Sequence, residues 1–441
     1  VNVTEPESKA ILKSPVEAFD IVIVGGGMVG ATLAAAVSQR FGEHMRVAII
    51  ERDKVSQAPP STFDLRSIVL SRSTVRFLHQ QGWWPQILPL STPIHTVAVE
   101  RARQMGRVHF TAEEADVSAL GYVIGNSDLG AQLWQQLALQ QHVRVFDGCV
   151  LQQAVRTTQG WFFDVVPCAQ SGMAGSSPGQ HVSARLLIVA DGADSQTLKN
   201  LGVASDKVPY GQHAMVVGLS GIDWDPGLAL ERFLPGGESV AVLPRGESTV
   251  GVVMAAAPAM VADWSNLPNT KLIDVIAQRV GRASRELGFC VERGCYPLVA
   301  GMAEELVRSN LLVVGNAAQT LHPIAGQGFN LAVRDLATFL GVLSTCESRR
   351  RRGMLMGSDL VPMLSLQAYA QSRAGDRRRI RAFCHQLLSV FAWESPVLLA
   401  CRQLGMALFD TLPASKAWLA HSTLAPRVGP HPAWSAAERI S

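Results

Sequence analysis

The chain has 441 residues with 39 Lys and Arg against 36 Asp and Glu, and a net charge of +3 gives no reason to expect a nucleic-acid partner or an acidic tail. At roughly 150 residues per domain the length predicts two to three domains. An apolar share of 48% fills real cores and excludes whole-chain disorder and collagen-like fibres. Charged residues are 17%, below the roughly 25% of an average soluble protein, which leaves room for a peripheral membrane habit or an apolar ligand.

In chain order, residues 1–17 are polar and of mixed charge, lack the apolar run of a secretory signal, and read as a loose tail. Continuous Val- and Ile-rich runs at 21–24, 47–50, 186–190 and 311–314 each lead into glycine or an acid: Gly25, Glu51, Asp191 and Gly315. Parallel strands buried on both faces look like this, and their carboxyl ends serve one ligand crevice. Alternation at 96–100 and 107–111, and short strands at 213–219, 239–243 and 249–254 between turn signals, predict an antiparallel layer. The Ser- and Gly-rich stretch 170–180 reads as a loop, and helices are expected at 360–373, 380–391, 396–409 and 414–421. No repeat of 20 to 50 residues is present, so a solenoid is not expected. The seven cysteines are scattered without a C-x-x-C pair, so neither a zinc site nor a disulfide framework is expected, and a reducing cytosol is the simplest compartment. The apolar stretch 382–409 is broken by Glu394, Pro396 and Arg402, leaving no uncharged run of roughly 18 residues to span a bilayer.

Residues 19–30 run Phe-Asp-Ile-Val-Ile-Val-Gly-Gly-Gly-Met-Val-Gly, a strand entering G-x-G-x-x-G and then an Ala-rich helix over 31–40. A dinucleotide needs this context: Gly25 turns tightly, Gly27 lets pyrophosphate approach, and Gly30 lets helix and strand pack. The helix start offers free N–H groups and a positive dipole end to phosphate. Glu51, with Arg52 beside it, ends the next strand, where a carboxylate holds ribose hydroxyls. A second strand-to-helix turn, 315–330, carries Gly315, Asn316, His322, Pro323, Gly326, Gly328, Phe329 and Asn330 and opens a helix at 331–343. A third strand ends in Asp191-Gly192-Ala193-Asp194-Ser195.

Together these stretches resemble the FAD-dependent aromatic-ring hydroxylases, from about residue 19 to about residue 424. The resemblance implies an α/β fold: a Rossmann-like FAD-binding domain over 18–93, 115–204 and 296–345, an antiparallel β-sheet substrate domain from 94–114 and 205–295, and a helical C-terminal segment, 346–441. It implies FAD held by Gly25, Gly27, Gly30, Glu51, Arg52, Arg66, Asn126, Asp191, Gly192, Gly315, Asn316, Pro323, Gly326, Gly328, Phe329 and Asn330, with NADPH (or NADH) as reductant. The 323–328 turn then lies along the flavin ring, its N–H groups aimed at N1 and the C2 carbonyl, where charge collects on reduction. The family has an Arg three residues after the Ser of the third motif, where this chain has Leu198.

Gly315-Asn316-Ala317-Ala318-Gln319, with Arg334-Asp335, Phe63-Asp64-Leu65-Arg66, the 121–126 stretch and Leu243-Pro244, is similar to the ubiquinone-biosynthesis branch of that family. This implies a 2-polyprenyl-6-methoxyphenol and O2 as substrates, the ring being hydroxylated para to its phenol oxygen through a flavin C4a-hydroperoxide. His322 is a candidate base, or else a packing residue; Arg66 guards the flavin, or else pairs with a carboxylate. No metal site is expected. A sister hydroxylase acting at another ring carbon and a non-catalytic flavin-binding scaffold of the biosynthetic complex are the competing readings, and other ubiquinone-biosynthesis proteins are candidate partners. Arg349 to Arg352, and Arg373, Arg377, Arg378, Arg379 and Arg381, form either a solvated face or a peripheral contact with anionic lipid. The expected location is cytoplasmic, with such a contact on the inner face of the cell membrane.

Overall fold

The computed structural model describes residues 16–55, 66–102, 107–168, 179–355 and 357–392, with 395, 398–399 and 403–406 beyond them. Of the helix expected at 396–409, residues 398–399 and 403–406 are described and are helical. The helix at 414–421, residues 1–15, Phe63, Asp64 and Leu65, and most of the 170–180 loop lie outside the described residues.

The four apolar runs form one parallel sheet. Glu17–Val24 lies between Val47–Glu51 and Gln180–Val189, and Gln180–Val189 pairs in parallel with Leu311–Val313 on its far side. Val143–Asp147 extends the sheet in parallel beyond Val47–Glu51. Successive side chains of a strand point to opposite faces, and both faces here are covered. Ile21, Ile23, Val47 and Ile49 enter a core with the helices Met28–Phe41 and Gln327–Arg351. Val22, Val24, Ala48 and Ile50 enter a second core with Phe146, Trp161 and Phe163. Unbroken apolar sequence is therefore what the site strands require.

A second sheet orders Gln319–Thr320, Phe289–Ala303, Ser205–Ser220, Thr249–Ala256, Ser239–Pro244, Leu228–Phe233, Thr96–Arg101 and Arg107–Thr111. Ser205–Ser220 runs well past the expected 213–219, because Gly211, at φ 68°, is absorbed as a register shift between Pro209 and Gln212. One face of this sheet packs Met215, Val217, Val240, Val252 and Met254 under the helices Pro258–Ser265 and Asn269–Val280. The other, inner face carries Ala214, Val253, Ala255 and Leu298, and it looks toward the parallel-sheet half. A small third sheet, Ser67–Ser71, Gly121–Gly125 and Thr92–Ile94, bridges the two.

Met363–Ala392 is one continuous helix where two were expected. It packs antiparallel on Gln327–Arg351 through ion pairs that are almost wholly buried. Arg373 donates to Asp335 at 2.6 Å and to Asp376, Arg377 donates to Asp335 at 2.9 Å, and Arg334 donates to Asp376 at 2.9 Å. A single mid-helix glycine such as Gly375 costs about 1 kcal/mol, which pinning on both sides of it offsets. Arg373 and Arg377, expected on a solvated or lipid-facing surface, are instead buried, whereas Arg378, Arg379 and Arg381 are exposed.

Asp335 is 1% exposed and holds two guanidinium groups. Removing it leaves Arg377 buried without an acidic partner and Arg373 with Asp376 alone, so Asp335→Ala is expected to cost about 3–5 kcal/mol of stability, read as a fall in the urea midpoint.

Candidate functional site

Three strand ends converge at the fingerprint. Gly25 takes φ 103°, and a Cβ there would lie 2.5 Å from the Ala190 carbonyl oxygen, so only glycine fits between the first strand and the Asp191 turn. A Cβ on Gly30 would lie 1.9 Å from the Gly25 carbonyl oxygen. The half-buried Gly27, by contrast, has nothing within 4 Å of where its Cβ would stand. The cradle is thus closed at its hinges and open at the position that faces a ligand. Gly315, at φ 64°, would bring a Cβ within 3.2 Å of Val29, so the second motif packs on the first turn of the fingerprint helix.

Glu51 is buried at the end of its strand, and its two carboxylate oxygens accept the N–H of Gly26 at 2.5 Å and of Asp53 at 2.9 Å. Burial raises its pKa above the usual carboxylate value, against the pull of those two N–H groups. Each oxygen keeps a second lone pair for a ligand hydroxyl. Arg52 is exposed and lies 3.6 Å from Asp53. Asp191 accepts the N–H of Thr197 at 3.2 Å through one oxygen, while the other is buried without a hydrogen-bond partner. Leu198, which stands where the family has Arg, is 1% exposed within the second core and serves packing. Gly192 is half-buried with open space above it.

The second motif forms the opposite wall. Gly326 adopts the left-handed conformation at φ 58° and starts the helix Gln327–Arg351, with Gly328 exposed in its first turn and open space around it. Helix N–H groups at such a start have no partner of their own within the helix. Pro323 and Asn316 are exposed at this edge, and Phe329 is buried behind it. Asn330 does not face the opening. Its amide donates to Val69 and Gly326 carbonyls at 2.7 and 2.9 Å and accepts from Ser71 N–H and Thr74 Oγ1 at 2.8 and 2.7 Å. With both hydrogens and both lone pairs used, it positions the turn and has nothing left for a ligand. Asn126, also buried, starts a helix and donates its N–H to the Arg66 carbonyl at 2.9 Å.

His322 is 3% exposed, and burial pushes its pKa down to about 4, so it is neutral at pH 7. Its Nδ1 accepts the Ile324 N–H at 3.2 Å, which places the proton on Nε2; its ring meets Tyr210 edge-on at 4.9 Å. With Nδ1 engaged and its proton on Nε2, His322 offers a donor, which fits the second of its two sequence readings, candidate base or packing residue. Arg66 is exposed, and its guanidinium stacks over the Tyr296 ring at 4.9 Å. Sequence reading missed Trp134, whose Nε1 donates to the Gly26 carbonyl at 2.9 Å and whose ring fills the space a Gly26 side chain would need. It also missed the Arg245 to Glu292 ion pair at 2.9 Å, which sits against Gly125. Neither has a local signal, because each partner lies far away in the chain. Among the described residues no cluster of His, Cys, Asp or Glu could hold a metal.

An open Gly27 over a helix start, a buried two-pronged carboxylate and the unpartnered Asp191 oxygen fit a dinucleotide carrying pyrophosphate and hydroxyl groups. Residues 18–355 match the family described as the FAD binding domain. The chain is 29% identical to the ubiquinone hydroxylase UbiL of Rhodospirillum rubrum, covering 94% of this chain and 91% of that protein. It is 28% identical to the 3-demethoxyubiquinol 3-hydroxylase of Escherichia coli, over 88% and 93% of the two chains. In fold it is similar to the p-nitrophenol 4-monooxygenase PnpA of Pseudomonas putida, with a TM-score of 0.71 at 14% identity, covering 93% of this chain and 100% of that one.

Because a Gly27 side chain would project into empty space at an ordinary φ of −59°, Gly27→Val is expected to leave the fold intact and to empty the cradle. The variant should purify without flavin absorbance while its far-UV circular dichroism matches the parent.

Proposed function

The chain belongs to the FAD binding domain family and is a flavin-dependent aromatic hydroxylase; on that premise we propose that it hydroxylates a polyprenylated phenol in ubiquinone biosynthesis. The observation that carries this reading is that a glycine-rich turn stands against an apolar sheet face. On one side lies the turn from Pro323 to Gly328; on the other lies the inner sheet face with Ala214, Val253, Ala255 and Leu298. The walls meet where Val69 comes within 3.2 Å of the Gly326 Cβ position and where His322 meets Tyr210. A phenol ring set between them would meet small apolar side chains and be kept from water.

FAD, when bound and reduced by NAD(P)H, supplies the oxygen-activating chemistry. The protein's part is to bind and orient. Gly25, Gly27, Gly30, Glu51, Asp191 and Gly192 would hold the nucleotide end, and the N–H groups at the helix start by Gly326 and Gly328 would meet the flavin ring. Neutral His322 offers its Nε2 hydrogen at the edge of the same turn. The substrate we propose is a 2-polyprenyl-6-methoxyphenol, hydroxylated para to its oxygen. The E. coli relative makes a demethoxyubiquinol the second substrate to run beside it.

Among the described residues no helix is long and apolar enough to cross a membrane. Exposed Arg378, Arg379 and Arg381, on the helix that precedes the exposed Leu398 and Leu404, support a peripheral contact with anionic lipid, through which a prenyl tail would be delivered.

The test is anaerobic titration of the FAD-loaded protein with NADPH. Flavin bleaching accelerated by a short-chain 2-prenyl-6-methoxyphenol, and a para-hydroxylated product on admitting air, is the expected result. Bound FAD that stays oxidised with every phenol and either nicotinamide would favour the scaffold reading instead.

A further inference from the structure

Glu231 lies in the strand Leu228–Phe233, and its placement follows from register. Leu230 is buried in the core under the two outer helices, so Ala229, Glu231 and Phe233 point the other way, to the inner face. Their neighbours agree. Ala229 belongs to an apolar cluster with Val97, Val108, Phe110, Leu243 and Val69. Phe233 belongs to another with Val99, Leu321, Ile324 and Phe391, on whose ring it stacks at 3.8 Å. Glu231, opposite Val99 on one side and Ala241 on the other, sits between these clusters. One cluster contains Val69, which touches the Gly326 turn; the other contains Leu321 and Ile324 of the same motif.

A carboxyl group in an apolar wall needs a partner. Among the described residues Glu231 makes no hydrogen bond or ion pair, although its neighbour Arg232 is bound to Glu100 on the opposite face. Its side chain is half-buried in that wall. We propose that Glu231 is the group that receives the phenol proton in the substrate crevice, an assignment that rests on the phenol-hydroxylase reading above. In the step the phenol O–H bond breaks, the proton passes to a Glu231 oxygen, and the electron pair stays on the phenol oxygen. The pair carries one negative charge before and after, and nothing is oxidised or reduced.

Burial alone raises the Glu231 pKa to about 7, close to the pH at which a general base works best. The acceptor is therefore charged above about pH 7 and lost below it. Other charged or titratable groups on this face are Arg101, two positions along the adjacent strand, the Arg245 and Glu292 pair, and Tyr210 with His322. His322 stays neutral down to about pH 4, and burial pushes the Tyr210 hydroxyl up, so neither titrates near 7.

The experiment compares the parent with Glu231→Gln, both loaded with FAD. Binding of 2-methoxy-6-prenylphenol is titrated without NADPH or oxygen by flavin difference spectra, and hydroxylation with NADPH and air is then followed from about pH 5 to about pH 9. Phenol binding in both proteins is the expected outcome, with an acid limb near pH 7 in the parent and, in the variant, hydroxylation slowed about 100-fold or more and that limb removed. A variant that keeps the parent's rate or its acid limb overturns the assignment while leaving the hydroxylase reading intact. A parent that binds no phenol overturns that reading, and the assignment falls with it. Should the variant fail to hold FAD, the parent alone decides: an acid limb near pH 7 supports the assignment, and a rate independent of pH across that range overturns it.

Discussion

The amide of Asn330 spends both hydrogens on the carbonyls of Val69 and Gly326 and both lone pairs on Ser71 and Thr74, and this four-way clamp fixes where the turn from Pro323 to Gly328 sits. Through Ser67–Ser71 it ties the start of the Gln327–Arg351 helix to the small bridging sheet, which reaches the inner face through Ser67 near Gly251 and Val69 near Leu243. The position of the turn relative to that sheet is thus set by a buried hydrogen-bond network. Networks of this kind are worth most when every member is satisfied.

The two halves use different physics for the same purpose. The nucleotide half relies on strand alternation, which sorts Ile21 and Ile23 from Val22 and Val24 into separate cores and needs no polar specification. The C-terminal helix relies on charge. Three arginines share two aspartates against Tyr369, which is 1% exposed, and a buried arrangement like this fixes register more than it adds stability. Register matters here because the same helix brings Phe391 onto Phe233 of the sheet's inner face.

Legibility in the sequence followed locality. Gly25, Gly315 and Gly326 were readable because each occupies a positive φ that a local pattern demands, and the parallel strands were readable because burial on both faces makes them continuously apolar. Leu228–Phe233 was missed, since Glu231-Arg232 interrupts its apolar run, and that interruption is the most informative feature of the inner wall. Arg373 and Arg377 looked like surface charge because their partners, Asp335 and Asp376, declare themselves only once two helices lie side by side. Asn330 sat inside a ligand motif yet serves the scaffold, a distinction that depends on which way one amide points.

The parallel sheet is also a schedule for synthesis. Glu17–Val24 can pair with Val47–Glu51 early, but Gln180–Val189 gains its outer neighbour only when Leu311–Val313 leaves the ribosome. At roughly 5–20 residues per second that wait is about 6–25 seconds. Until it ends, the cradle lacks the Gly315 turn that packs on its helix, and an apolar strand edge stands open in the nascent chain. Cofactor loading is therefore a late event, following emergence of the Gly326 turn, and a chain truncated before that point would carry the whole fingerprint while holding no flavin ring.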